Sequence, residues 1–240
     1  MPINETIEYH DENHILEGWL VYENGCPEPA PGIVVFHEFM GLGDYLVRHL
    51  ENFASLGYVV MAADMYGKGI RPDSEQTALS ASRPLRSDRQ AMRRRAKAAL
   101  DCMKALPRVD SENIAAVGYS FGGCVALELA RFGEALKAAV SFYGYLDTPE
   151  PALPGIIKAK LLVFHGIHDP VVPPSSLVDY CQEMEAIGAD SRVVTYTDAG
   201  HGFCNRQMDG GKDPWNRYSR RHDEASWRTL VDFLAEAMAD

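Results

Sequence analysis

Apolar and polar residues alternate along 3–9 and again along 15–22, on either side of the polar turn Asp11-Glu12-Asn13, a period of two that predicts an antiparallel hairpin. Beyond residue 30 the alternation gives way to short apolar runs at 32–36, 58–63, 113–117, 138–143, 160–165 and 192–196, each bounded by turn residues. Runs of this kind suit strands covered on both faces. Between them lie segments of helical period, at 45–56, 85–106, 121–132, 175–187 and 222–238. Strand and helix in alternation imply right-handed crossovers, hence an α/β fold: a mostly parallel, doubly wound sheet with the hairpin at its edge. No repeat or linker interrupts the pattern, so residues 1–240 are expected to form one domain.

Two details of the pattern bear on a site. In the 85–106 helix, Met92, Ala96, Ala99, Leu100 and Met103 form the apolar face, and Arg93, Arg94 and Arg95 are expected to be solvated. The stretches 65–84 and 204–217 exceed what an α/β unit needs and are expected to be loops that wall a site.

Composition narrows the function classes. The 240 residues are 46% hydrophobic, enough for a core without disulfides or structural metal. With 23 Lys+Arg against 34 Asp+Glu the net charge is −11, which argues against a nucleic-acid partner. The cysteines at 26, 102, 124, 181 and 204 lack C-x-x-C or zinc-knuckle spacing and read as reduced thiols. No secretory signal is visible near the N-terminus, and no apolar run reaches the ~18–20 residues of a membrane span. The expectation is a cytoplasmic protein without membrane contact. Gly41-Leu42-Gly43 and Gly67-Lys68-Gly69 do not complete a nucleotide-binding pattern, so no cofactor is expected.

The chemistry concentrates around Gly118-Tyr119-Ser120-Phe121-Gly122, a G-x-S-x-G pattern between a predicted strand and a predicted helix. Such a turn strains the serine and projects its hydroxyl over the sheet edge, beside a helix N-terminus. A serine hydroxyl needs a base and a group to orient that base. Asp169 follows the strand ending at His165, and His201 follows the next strand, in the order Ser…Asp…His of the α/β-hydrolases. His37, His165 and His168 are weaker choices of base, and Asp198 is a weaker choice of orienter. For the developing oxyanion, the backbone N–H groups of Phe121 and of Phe39, in the loop after the first central strand, are the expected donors.

These residues together resemble the dienelactone hydrolase family. The resemblance is carried by Val35-Phe36-His37-Glu38-Phe39-Met40-Gly41-Leu42, Ala63-Asp64-Met65-Tyr66-Gly67-Lys68-Gly69, the serine turn, His165-Gly166-Ile167-His168-Asp169-Pro170-Val171-Val172-Pro173 and His201-Gly202-Phe203. It implies an α/β-hydrolase fold without a large lid domain, usually monomeric, that cleaves small esters or lactones without a cofactor. It also implies that Glu38 contacts the nucleophile at rest and helps to activate it. The family's founding enzymes carry cysteine where this chain has Ser120, so Ser120 is either an ordinary serine nucleophile or a Cys→Ser replacement. Family members hold a substrate carboxylate with arginines, for which Arg83, Arg86 and Arg206 are the candidates here. Tyr66, Tyr143 and Phe203, with Tyr145 and Trp215, are expected to approach the pocket and make it aromatic.

Activated phosphotriesters are a secondary substrate class for such a site. Two other classes stay open at this level: a metallohydrolase, suggested by His165-x-x-His168-Asp169 although nothing completes a metal site, and a non-catalytic ligand-binding module on the same fold.

Overall fold

A computed structural model describes residues 2–239. The edge hairpin forms from β1 (Pro2–Asp11) and β2 (His14–Glu23), which pair in antiparallel register. Glu8 faces Glu17 across this pair, and the ammonium of Lys68 bridges both, offsetting their repulsion. The remaining strands are β3 (Ala30–Phe36), β4 (Val59–Ala63), β5 (Val109–Tyr119), β6 (Ala138–Phe142), β7 (Lys160–Gly166) and β8 (Ser191–Tyr196). They make one eight-stranded sheet in the order β1-β2-β4-β3-β5-β6-β7-β8. β2 runs antiparallel to β4, and every pair from β4 to β8 is parallel.

Successive residues of a strand point to opposite faces, so neighbours such as Val34 and Val35 enter different halves of the core. On one face α1 (Asp44–Ser55) and α6 (Arg220–Ala237) bring Leu46, Phe53, Leu230 and Leu234 against Val35, Val117 and Leu162. On the other, α3 (Arg89–Lys104), α4 (Phe121–Arg131) and α5 (Pro174–Ile187) bring Met92, Leu100, Leu127 and Tyr180 against Val34, Ala116 and Leu161. This three-layer arrangement is the α/β-hydrolase fold. Among the described residues no helix is long and apolar enough to cross a membrane.

The structure departs from the sequence pattern in the 65–106 region. The stretch 65–84 is not a plain loop but contains most of α2 (Glu75–Ser87). Its start is a capping box in which Ser74 Oγ accepts from the Thr77 N–H at 3.3 Å and Thr77 Oγ1 accepts from the Ser74 N–H at 3.2 Å. Pro84 stays inside the helix, and the break comes at Asp88, whose carboxylate accepts from the Ala91 N–H at 2.9 Å and opens α3. The single expected helix 85–106 is therefore two.

The expectation of three solvated arginines is also corrected. Arg94 is exposed, but Arg93 and Arg95 are buried. α4 is covered along its whole length, which leaves the Glu128 carboxylate in the interior, and a buried carboxylate needs cationic partners. Arg93 supplies one at 2.8 Å and Arg131 a second at 3.1 Å. Arg95 reaches Asp11 at 3.3 Å and donates to the Met65 carbonyl at 2.9 Å, tying α3 to the edge hairpin.

Candidate active site

The backbone reverses sharply between β5 and α4. Ser120 occupies φ 52°, ψ −114°, a conformation that costs a non-glycine residue on the order of 1–3 kcal/mol. Its N–H donates to the Phe142 carbonyl at 2.9 Å, which fixes the turn to β6. The flanking glycines are required by close approach: a Cβ on Gly118 would lie 1.8 Å from the Gly122 carbonyl oxygen, and one on Gly122 would lie 2.1 Å from the Phe36 oxygen. The helix that follows directs its first N–H groups toward the serine.

Two side chains from the loops after β7 and β8 extend from this hydroxyl in sequence. His201 Nε2 lies 2.9 Å from Ser120 Oγ, and His201 Nδ1 lies 2.8 Å from Asp169 Oδ2. The other carboxylate oxygen of Asp169 accepts from the N–H groups of Val171 at 2.7 Å and Val172 at 2.9 Å, so the acid is held in one orientation. All three residues are buried. The expected loop 204–217, which includes a short 3-10 turn at Arg206–Met208, folds back so that the His201 N–H donates to the Trp215 carbonyl at 2.7 Å.

Among the described residues none of the competing histidines bonds Ser120 Oγ, and Asp198 does not bond His201. Asp198 pairs with His222 at 3.0 Å and with Arg221, turned away from His201. His168 packs against Trp215, the rings tilted by 33° with centroids 3.9 Å apart. His165 is fully buried, and neither ring nitrogen has a partner among the described residues. Burial holds its imidazole below the usual histidine range. Among the described residues no group of three His, Cys, Asp or Glu side chains is arranged to hold a metal ion.

Glu38 lines the same cavity as the serine but makes no hydrogen bond to it, unlike the resting contact that the resemblance implies, because both its oxygens are engaged elsewhere. Its carboxylate accepts from the Tyr143 hydroxyl at 3.0 Å and from Asn205 Nδ2 at 2.9 Å. Burial raises the Glu38 carboxyl above the usual range, and the nearby His201, Tyr143 and Asn205 act in the opposite direction. Asn205 was not singled out by the sequence, because nothing local distinguishes it from any loop asparagine.

Ser120, His201, Glu38, Phe39 and Phe121 line a cavity of about 200 Å³. Its remaining wall comes from α2, through Glu75, Leu79, Ser82 and Arg86, and from Tyr145, Val171, Met208 and Asn216 outside that helix. The expectation for substrate-facing residues is corrected here. Arg83 is exposed and outside this lining; Arg206 is also exposed, above the Tyr218 ring at 6.0 Å, and sits 3.9 Å from Asp223. Tyr66, Tyr143 and Phe203 are buried behind the wall, where Tyr66 donates to the Phe39 carbonyl at 2.7 Å and Phe203 packs edge-on against Tyr143 at 5.1 Å. Of the three candidate arginines it is Arg86 that lines the cavity, its guanidinium 3.5 Å from the Tyr145 ring centroid and its Nε buried without a partner among the described residues.

A serine on a strained strand-to-helix turn, a histidine and an aspartate from later strands, and a cavity opening onto them place the molecule among the α/β-hydrolases. A profile of the dienelactone hydrolase family matches residues 16–238, and the chain belongs to that family. Two solved structures resemble it along nearly its whole length. One is a dienelactone hydrolase-like promiscuous phosphotriesterase, P91, from metagenomic libraries, with 31% identity, 98% of each chain covered and a TM-score of 0.90. The other, called m3DLH, has 33% identity, 99% of each chain covered and a TM-score of 0.92. A curated relative in Escherichia coli K12, which bears a provisional carboxymethylenebutenolidase name, is 26% identical over 222 residues, covering 87% of this chain and 78% of its own. The chain is therefore a hydrolase of this family.

Proposed function

We propose that the protein hydrolyses small carboxylic esters or lactones through a Ser120–His201–Asp169 triad and an acyl-enzyme. The observation that carries this reading is the continuous chain of hydrogen bonds from Ser120 Oγ through His201 to Asp169, at 2.9 and 2.8 Å, at the floor of a cavity. Ser120 Oγ attacks the carbonyl carbon as His201 Nε2 takes its proton. The imidazolium is stabilised by Asp169 and by the nearby Glu38 carboxylate. The oxyanion is held by the N–H groups of Phe121 and Phe39. Collapse expels the alcohol, which leaves with the proton from His201; for a lactone it stays attached to the acyl group. Water then attacks the acyl-enzyme, passing its proton to His201, and Ser120 recovers it as the acid departs.

A cavity of about 200 Å³ is small beside the ~300–1,000 Å³ of sites for drug-sized ligands and favours compact acyl groups. Arg86, whose guanidinium lies over the Tyr145 ring in the wall, suits a substrate bearing a carboxylate or other acceptor next to the ester. The deciding experiment is a p-nitrophenyl acetate pulse, quenched in acid and read by intact mass. A single acetyl adduct that disappears in Ser120→Ala is expected, together with a loss in kcat on the order of 10⁵–10⁶. Turnover in Ser120→Ala near that of the parent chain would sink the assignment, and absence of both adduct and turnover would favour a binding role.

The P91 relative favours a second reading for the same site, turnover of activated phosphotriesters. Attack on phosphorus expels an aryloxide and leaves a phosphoryl-serine, which hydrolyses slowly. With an aryl phosphotriester the expected trace is a burst of one equivalent of phenol followed by a slow phase. Linear turnover without a burst would count against a phosphoryl-serine.

A further inference from the structure

We infer that His37 is a positioning residue for the oxyanion site: its imidazole fixes the Glu38–Phe39 peptide and thereby aims the Phe39 N–H into the cavity. The inference rests on the proposed ester hydrolysis for its catalytic consequence, but its geometric content stands apart from it.

The argument begins with the tautomer. The Met65 backbone N–H lies 3.2 Å from His37 Nε2, and an amide N–H can only donate, so Nε2 must carry a lone pair. The ring proton is then on Nδ1, which lies 2.6 Å from the Glu38 carbonyl oxygen and donates to it. The imidazole thus links two segments, the end of β4 and the loop after β3. It is fully buried, with Tyr66 edge-on at 4.7 Å and Phe121 stacked at 5.9 Å. Burial lowers its pKa to about 4, so the ring keeps this neutral form at neutral pH.

The consequence follows from the planar trans peptide. The C=O of Glu38 and the N–H of Phe39 belong to one unit and point in opposite directions. Holding the carbonyl toward His37 turns the amide away from it, and Phe39 borders the cavity above Ser120. The other polar groups nearby are engaged: the Glu38 N–H donates to the Tyr45 hydroxyl, the Phe39 carbonyl accepts from Tyr66, and the Gly41 carbonyl accepts from the Tyr45 hydroxyl at 3.2 Å. The Phe39 N–H has no partner among the described residues. The Gly41 N–H also reaches the Glu38 oxygen, at 3.0 Å, so loss of the imidazole donor removes the shorter of two bonds to that oxygen.

The test separates the two bonds of the imidazole. Asn places a donor near the position of Nδ1, whereas Gln places an acceptor near that of Nε2. His37→Asn therefore keeps the bond to Glu38, and His37→Gln keeps only the bond to Met65. His37→Gln should lower kcat for p-nitrophenyl acetate by about 10²-fold with KM changed less than about threefold, in the range for loss of one oxyanion donor. His37→Asn should stay within about tenfold of the parent kcat. Crystal structures of both variants read the peptide directly, with the parent orientation expected in Asn and a turned or mixed peptide in Gln. Equal kcat in the two variants, or an unchanged peptide in His37→Gln, would overturn the inference. If His37→Gln does not fold, the ordering of His37→Asn against His37→Phe, which keeps the ring volume and loses both bonds, makes the same distinction. Failure of the hydrolytic reading shows separately, as activity that survives Ser120→Ala.

Discussion

Asp169→Asn removes one charge and no atom of bulk, and the surroundings dictate what the amide does. Asp169 Oδ1 accepts from two backbone N–H groups, Val171 and Val172, and Oδ2 faces His201 Nδ1. The asparagine oxygen will take the two-donor side. Its NH2 group then points at His201 Nδ1, which must become an acceptor, and the imidazole proton moves to Nε2, where it faces Ser120 Oγ. In that tautomer the histidine cannot accept the serine proton. The productive orientation requires turning the amide over, which leaves two backbone donors facing an NH2 group. At about 1–3 kcal/mol for each unsatisfied donor, that orientation is disfavoured by about 2–6 kcal/mol, which places the loss in kcat between roughly 30-fold and 3 × 10⁴-fold. KM for p-nitrophenyl acetate should change little, because no cavity wall moves. Stopped-flow and steady-state kinetics on the folded variant check this, with thermal unfolding as control. A kcat within tenfold of the parent, in a protein of unchanged melting temperature, would refute the account of Asp169 as the group that sets the tautomer.

Other outcomes follow from the same contacts. Glu128→Gln leaves Arg93 and Arg131 each with one remaining carboxylate, Glu150 and Glu183, so the cost falls near the lower end of the ~3–5 kcal/mol for breaking a buried pair and lowers the melting temperature by about 6–12 °C in calorimetry. Arg86→Ala should raise KM about 10- to 100-fold for an ester bearing a neighbouring carboxylate and leave neutral p-nitrophenyl acetate within about threefold, since a bond to a charged donor is worth about 1.5–3 kcal/mol. Stability should fall on acidification: burial lowers His37 to about 4 and His49 to about 3, so below about pH 6.5 the unfolded chain takes up protons that the folded chain refuses, at up to about 1.4 kcal/mol per pH unit for each group. Glu38, raised by burial, opposes this by holding its proton in the folded state, and a urea midpoint that does not fall between pH 6.5 and 4.5 would contradict the dominance of the two histidines.

The parallel sheet was legible because strands buried on both faces must be apolar throughout, and Ile33-Val34-Val35-Phe36 or Leu161-Leu162-Val163-Phe164 can satisfy that only between helical layers. Ser120, Asp169 and His201 were legible because topology places the first residues after parallel strands along one edge. The α2 helix was not, because Pro84 reads as a break and the capping box at Ser74 uses Thr77 in place of the expected acidic or amide residue. The burial of Arg93 was hidden as well: from one helix alone an arginine off the apolar face looks solvated. Only the fully buried position of Glu128 on α4 makes Arg93 a buried counter-ion. The cavity wall failed for a related reason. Tyr66, Tyr143 and Phe203 do cluster near the serine, but spacing along the chain cannot distinguish a side chain facing a cavity from one packed behind its wall.

The groups around the proposed reaction centre differ in how firmly they are fixed, and the difference has a direction. The turn proposed to hold the oxyanion has its carbonyls anchored by the side chains of His37, Tyr66 and Tyr45 and by the Gly41 N–H, and Asp169 is locked by two backbone donors, so the elements that must not reorganise during charge development are each held by specific hydrogen bonds. The cavity wall rests instead on side chains of α2 and the 204–217 segment, among them Arg86, Leu79 and Met208, whose replacement need not disturb that frame. Substrate range should therefore shift with substitutions in α2 far more readily than catalytic competence does. A set of single substitutions at Leu79, Arg86 and Met208 should alter the ratio of kcat/KM between a short acyl ester and a bulky one by more than tenfold while leaving the yield of acyl adduct on Ser120 unchanged. If those substitutions abolish the adduct instead, the wall and the reaction centre are one mechanical unit, and the division drawn from the hydrogen bonds is wrong.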